Sequence, residues 1–98
     1  MRENEFRRYL ESSMQIRSKS KAVSSRISRA HTAETILMAS LDTIVMNDDR
    51  MYEALTLIHD DSREKNGNIQ NAVRWYYKFI NGREFPKLLS YQRSAHIR

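Results

Sequence analysis

Two glycines and one proline in a chain of 98 residues leave few places where the backbone can reverse tightly. Strands need a turn every few residues, and those turns draw on Gly for positive φ and on Pro for a fixed φ. A chain this poor in both is expected to fold from helices. Its length suits a single domain with one modest core, here residues 1–92, followed by a frayed tail over 93–98. The expected class is therefore all-α, a compact bundle of four to five short helices.

Apolar spacing places those helices. Phe6, Tyr9, Leu10 and Met14 form one stripe and predict a helix over 2–13, with Glu3 and Glu5 at the positive end of its dipole. Gln15 to Ser20 reads as a polar, basic connection. A second helix is predicted from Ser18 or Ser20, either a suitable N-cap, to about Ala39. Val23, Ile27, Ala30 and Leu37 are its core stripe, and Lys21, Ser25, Ser28 and Thr32 lie opposite, with Arg29 at the edge. Glu34 falls on the core stripe, where an unpaired carboxylate is costly, so it is expected to meet an Arg or backbone amides.

Leu41, Ile44 and Val45 form a short apolar segment, and Asn47-Asp48-Asp49 then signals a third helix, acidic, with Met51, Leu55 and Ile58 inward. Residues 62–68 contain Asn66-Gly67 and read as an exposed loop. Asn68 is the expected N-cap of a fourth helix, 69–81, whose stripe of Ile69, Ala72, Val73, Tyr76, Phe79 and Ile80 ends at Asn81-Gly82. Trp75 and Tyr77 flank that stripe on its two sides. Burial preferences put Trp75 in the core and leave Tyr77 as the surface aromatic. Leu88, Leu89 and Tyr91 are expected to dock after Phe85-Pro86.

Charge is sorted along the chain into three blocks. Residues 1–33 carry eight Lys/Arg against three Asp/Glu, residues 34–65 three against eight, and residues 66–98 six against one, so the blocks carry +5, −5 and +5. No acid lies between Ser12 and Ala33. A concentrated positive field favours polyanions, chiefly nucleic acid or an acidic protein face. Arg17, Lys19 and Lys21 fall at the entry to the second predicted helix, and Arg26 and Arg29 fall along it. Arg74 and Lys78 lie on the fourth, and Arg83 and Lys87 just after. If the two helices pack side by side, these charges join in one surface; the alternative is an ordinary solvated face.

Catalytic chemistry has little to build on. His31, His59 and His96 lack a second ligand at i+3 or i+4, which argues against a metal site. Asp48-Asp49 and Asp60-Asp61 sit at predicted helix ends, where capping explains them better than acid–base work. The serines lack a strand–turn–helix elbow, and the isolated glycines make no phosphate-cradling loop. No cysteine is present, which fits a reduced, cytoplasmic setting. No apolar run reaches membrane-spanning length, and the start of the chain lacks a signal-peptide core. No enzyme activity, cofactor, small-molecule substrate or membrane partner is expected.

Phe6-Arg7-Arg8-Tyr9-Leu10, Ser20-Lys21-Ala22-Val23-Ser24-Ser25-Arg26-Ile27 and Asn71-Ala72-Val73-Arg74-Trp75-Tyr76-Tyr77-Lys78-Phe79, in this order on successive helices, carry a resemblance. The chain resembles the N-terminal core-binding, SAM-like domain of tyrosine recombinases and phage integrases over roughly residues 5–82. That resemblance implies a SAM-like bundle clamping duplex DNA, and a phage or mobile-element origin. It assigns DNA contacts to Lys21, Ser24, Ser25 and Arg26, with Arg74 and Lys78 opposite. The chain departs from the family in lacking room for its catalytic domain, and in its acidic middle third.

Two functions follow as expectations. The first is a non-catalytic protein contacting double-stranded DNA phosphates through the second and fourth helices. The second is a small helical inhibitor or adaptor that meets a protein partner through the acidic third helix, with Asp48, Asp49, Glu53, Asp60 and Asp61. The opposed charges along the chain would then also favour self-association, head-to-tail or as a dimer.

Overall fold

Phe6 and Leu10, one helical turn apart, are both fully buried and fix the first helix, α1 (Glu3–Ser12), against the rest of the chain. Burial of each is worth roughly 1.5–3 kcal/mol. The Phe6 ring meets Tyr76 edge-on at 4.9 Å and Phe79 at 5.6 Å. The computed structural model describes residues 1–13, 16 and 19–91, without the Lys19 side chain. The expectations for Met14, Arg17, Ser18 and the 93–98 tail therefore lie outside the described residues. Ile16, in the stretch read as polar connection, is buried.

The longest helix, α2 (Lys19–Leu37), is the hub that packs on every other helix. Its core stripe is Val23, Ile27, Ala30 and Ala33, with Leu37 only half-buried. Ser20 lies inside the helix rather than capping it. Glu34 does meet a backbone amide: it accepts from Leu41 N–H at 2.9 Å, and the Met1 ammonium lies 3.1 Å from the same carboxylate. The helix ends at Met38, which adopts a left-handed φ of 52°, while Ala39 N–H reaches back to the Glu34 carbonyl at 3.3 Å. Glycine is the usual occupant of this closing position, and a side chain there costs roughly 1–2 kcal/mol.

The apolar 41–45 segment contains a four-residue helix, α3 (Leu41–Ile44), started by the Ser40 hydroxyl accepting from Asp42 N–H. As expected, Asn47 starts the next helix, α4 (Asp48–His59), accepting from Arg50 N–H at 3.0 Å. Met51, Ala54, Leu55 and Ile58 are its buried face.

The last long helix, α5 (Asn68–Asn81), starts differently from the expectation. Asn68 is its first residue and makes no cap; Gly67 precedes it with φ of 75°. The amides of the first turn, which have no partner within the helix, are satisfied from the loop instead. Glu64 accepts from Ile69 N–H at 2.9 Å and from Gln70 N–H at 2.8 Å. Gly82, φ 74°, closes the other end with its N–H on the Lys78 carbonyl.

Beyond α5 the chain folds back and forms a helical turn at 88–91. Phe85 is buried between Tyr77 and Tyr91, at 5.2 and 5.3 Å, and Tyr91 stacks on Tyr52 while its hydroxyl donates to Asp49. Leu89, expected to dock, is exposed. Helix makes up 72% of the structure and no strand occurs among the described residues, so the all-α class holds. No described helix is long and apolar enough to cross a membrane.

Candidate nucleic-acid interface

Arg29 and Thr32 of α2 share a groove with Asn68 and Ile69 at the start of α5, whereas Arg26 lies against Trp75 farther along α5. Advancing along one helix thus means retreating along the other: α2 and α5 are antiparallel neighbours. Their packing brings together cations that are distant in the chain.

The centre of the arrangement is the Trp75 indole. The Arg26 guanidinium carbon lies 5.8 Å from its ring centroid and Lys78 Nζ lies 5.5 Å from it. An edge-on contact with Tyr9 at 6.3 Å ties the same ring to α1. Both cations are thereby seated on an aromatic surface, each contact worth about 0.5–1 kcal/mol where solvent reaches it. Trp75 stays half-buried, and Tyr77 is wholly buried. This reverses the expected roles of the two aromatics. The Tyr77 flank of α5 is covered by Phe85 and by Asp48, which accepts from the Tyr77 hydroxyl at 2.8 Å. Burial and that hydrogen bond push the Tyr77 phenol up to about 12.

Arg26 is held firmly. Its Nη1 donates to the Ala22 carbonyl at 3.2 Å, and its buried Nε has no hydrogen-bond partner among the described residues. Burial lowers its pKa, and the neighbouring Arg29 charge lowers it further. Two guanidinium groups that repel across one turn of α2 are a local excess of positive potential that an anion would relieve.

Around this centre the expected residues divide. Lys21 and Ser24 are exposed on the first turns of α2, and Ser25 is half-buried. Arg17 and the Lys19 side chain lie outside the described residues. Arg74 is committed to a structural contact: its Nη1 donates to the Phe85 carbonyl at 2.9 Å and the Pro86 carbonyl at 3.3 Å, and it sits over the Phe85 ring. Together with Lys78, Trp75 and Asn71 it lines a shallow groove that also contains Glu84. Arg83 turns toward α4, where it lies over Tyr77 and 3.4 Å from Asp48 Oδ2. Lys87 is exposed in the segment after α5.

Two cations join the surface that charge patterning did not single out. Arg63 and Lys65, from the loop before α5, line the groove with Arg29, Thr32 and Asn68. Arg63 is forked onto Asp61 through two contacts of 2.9 Å, and this hydrogen bonding pulls the Asp61 carboxyl down to about 2. Its charge is thereby locally neutralised. Lys65 is exposed. In chain order both belong to the acidic block, so only the fold reveals that they face Arg29.

The chain matches no protein-family model, no curated protein and no solved structure.

Proposed function

We propose that this chain is a non-catalytic protein that binds double-stranded DNA through the α2–α5 face, engaging backbone phosphates with Arg26, Arg29 and Lys78, flanked by Lys21 and Lys65. The observation that carries this reading is the convergence of Arg26 and Lys78, from two helices, on one Trp75 ring. With both cations lying over it, the indole serves as a seat for charge more readily than as a platform for an unstacked base. That favours contacts to a duplex backbone over single-strand stacking. The resemblance to integrase core-binding domains supports much of the same surface, since it assigns DNA contact to Lys21, Ser24, Ser25 and Arg26 with Arg74 and Lys78 opposite, although Arg74 is taken up by the Phe85 and Pro86 carbonyls.

The adaptor reading has less support. Asp48 and Asp49 are occupied by the Tyr77 and Tyr91 hydroxyls, so the acidic row offers a partner mainly Glu53 and Asp60.

Fluorescence anisotropy of a labelled duplex, titrated at several salt concentrations, tests the proposal. Neutralising about five phosphates gives a log–log slope near about −4.5. Replacing Lys21 and Arg26 by Glu is expected to abolish binding, whereas Asp60→Lys is expected to leave it intact. Absent binding, or binding indifferent to salt, overturns the reading.

A further inference from the structure

Between α2 and the start of α5 the surface opens into a groove of about 480 Å³, lined by Arg29, Thr32, Arg63, Lys65, Asn68 and Ile69. Its volume falls in the range of small-ligand sites. Cations from α2 and from the loop before α5 meet here, and among the described residues no carboxylate lines the groove.

Donors converge in this groove without an acceptor of the chain's own. The Arg29, Lys65 and Asn68 side chains make no hydrogen bond or ion pair among the described residues. The neighbouring loop acids are already engaged, Asp61 by Arg63 Nε and Nη2, and Glu64 by the Ile69 and Gln70 amides. The first-turn amides of α5 are thereby taken too, so the groove offers side chains and not a helix end. The Arg63–Asp61 fork is neutral as a unit and leaves Arg63 Nη1 without a described partner. Arg29 and Lys65 then give the groove a local charge of +2.

That charge selects among phosphates. A phosphate monoester carries about −1.5 to −2 at neutral pH, whereas each backbone diester of DNA carries only about −1. Two guanidinium groups, an ammonium and the Asn68 amide supply donors for all of its terminal oxygens. The Thr32 hydroxyl plays a different part. It donates to the Ser28 carbonyl at 3.2 Å, so toward a ligand it acts as an acceptor. A sugar hydroxyl beside the phosphate satisfies it, and the groove has room for both.

We propose that this groove is a phosphomonoester site, taking the terminal phosphate and adjoining sugar of a nucleotide, either free or at a DNA end. The free-nucleotide form does not rest on duplex binding. The DNA-end form does, and extends it from the backbone to the terminus.

Amide NMR titrations of the isotope-labelled chain test the site, with adenosine monophosphate, its methyl diester and unphosphorylated adenosine each taken to about 10 mM. The monophosphate is expected to move the amides of Arg29, Arg63, Lys65 and Asn68 with a Kd of about 1 mM or below. The diester is expected to bind at least about threefold more weakly, and adenosine to leave those amides in place. Lys65→Glu and Asn68→Asp are each expected to weaken the monophosphate at least about tenfold. Asn68→Asp keeps the shape of the side chain and puts an acid in the first turn of α5, so the helix persists.

A labelled duplex with phosphorylated ends, compared with the same duplex ending in hydroxyls, separates the two sources. A preference of about fivefold or more, lost in Asn68→Asp, assigns the site to DNA ends. Amides that respond to the monophosphate, with equal affinity for the two duplexes, assign it to free nucleotide. A chain that binds the monophosphate but no duplex removes the duplex reading and leaves this site standing. Groove amides that ignore the monophosphate, together with no preference between the duplexes, overturn the proposal. So does a methyl diester that binds as well as the monoester, or adenosine that moves the same amides.

Discussion

Arg26 and Trp75, on antiparallel helices, hold each other in place: the guanidinium carbon sits 5.8 Å from the indole centroid, and the same ring carries Lys78. The positive patch is thus organised by an uncharged residue. Trp75→Leu removes no charge yet is expected to weaken duplex binding by about tenfold, because both cations regain rotamer freedom that binding must then remove. Anisotropy titration of the variant at fixed salt checks this; unchanged affinity would show that the ring does not order the patch. The same variant is expected to lose about 1–2 kcal/mol of stability, from two cation–π contacts.

Arg83 supplies the contrast. Its guanidinium is paired with Asp48 and rests over Tyr77, away from the cluster. Arg83→Gln is expected to leave the salt slope of duplex binding unchanged, whereas Arg26→Gln lowers it by about one. Equal slopes in the two variants would contradict the division of cations described here.

Glu64 caps the start of α5, taking the Ile69 and Gln70 amides on its two oxygens. Glu64→Ala is expected to cost about 1–2 kcal/mol, comparable to the loss of a strong N-cap. Glu64→Gln, which keeps one acceptor, is expected to cost less. Chemical denaturation followed by circular dichroism ranks the three proteins.

Alkaline pH is expected to destabilise the fold through Tyr77. Its phenol keeps its proton up to about 12 in the folded chain, while an unfolded tyrosine releases it near about 10. Between those values the folded state holds more protons than the unfolded state, so stability falls as pH rises. The contribution is whole below about 10 and gone above about 12. Tyr77→Phe is expected to flatten the decline across this window, read as denaturation midpoints at successive pH values. The direction is the same for Tyr76, whose buried hydroxyl donates to Asp42 and accepts from Arg2 N–H.

Periodicity and capping chemistry made most of the bundle legible. The shortage of Gly and Pro pointed to helices, Asn47 marked the start of α4, and Gly82 marked the end of α5. Three features escaped for separate reasons. The start of α5 is governed by Glu64, a side chain several residues upstream in a loop, beyond the reach of a local cap pattern. Helix α3 has four residues, too few for a period to register. Trp75 and Tyr77 stand symmetrically about the apolar stripe, so helical spacing ranks them equally. What separates them is Phe85, which returns over the Tyr77 side after the helix has ended. In the candidate interface, Arg26, Arg29 and Lys78 were legible from charge and spacing. Lys65 was hidden by its acidic neighbours in the chain, and the commitment of Arg74 to the Phe85 and Pro86 carbonyls depends on a chain reversal that no single-helix pattern encodes.

The antiparallel seam between α2 and α5 has a thermodynamic corollary. Neither helix owns the electropositive site, so melting that seam disperses it, and any polyanion that prefers the assembled site must raise the melting temperature of the whole bundle. Heat-denaturation scans with increasing duplex would then titrate ligand and tertiary structure as a single coupled equilibrium.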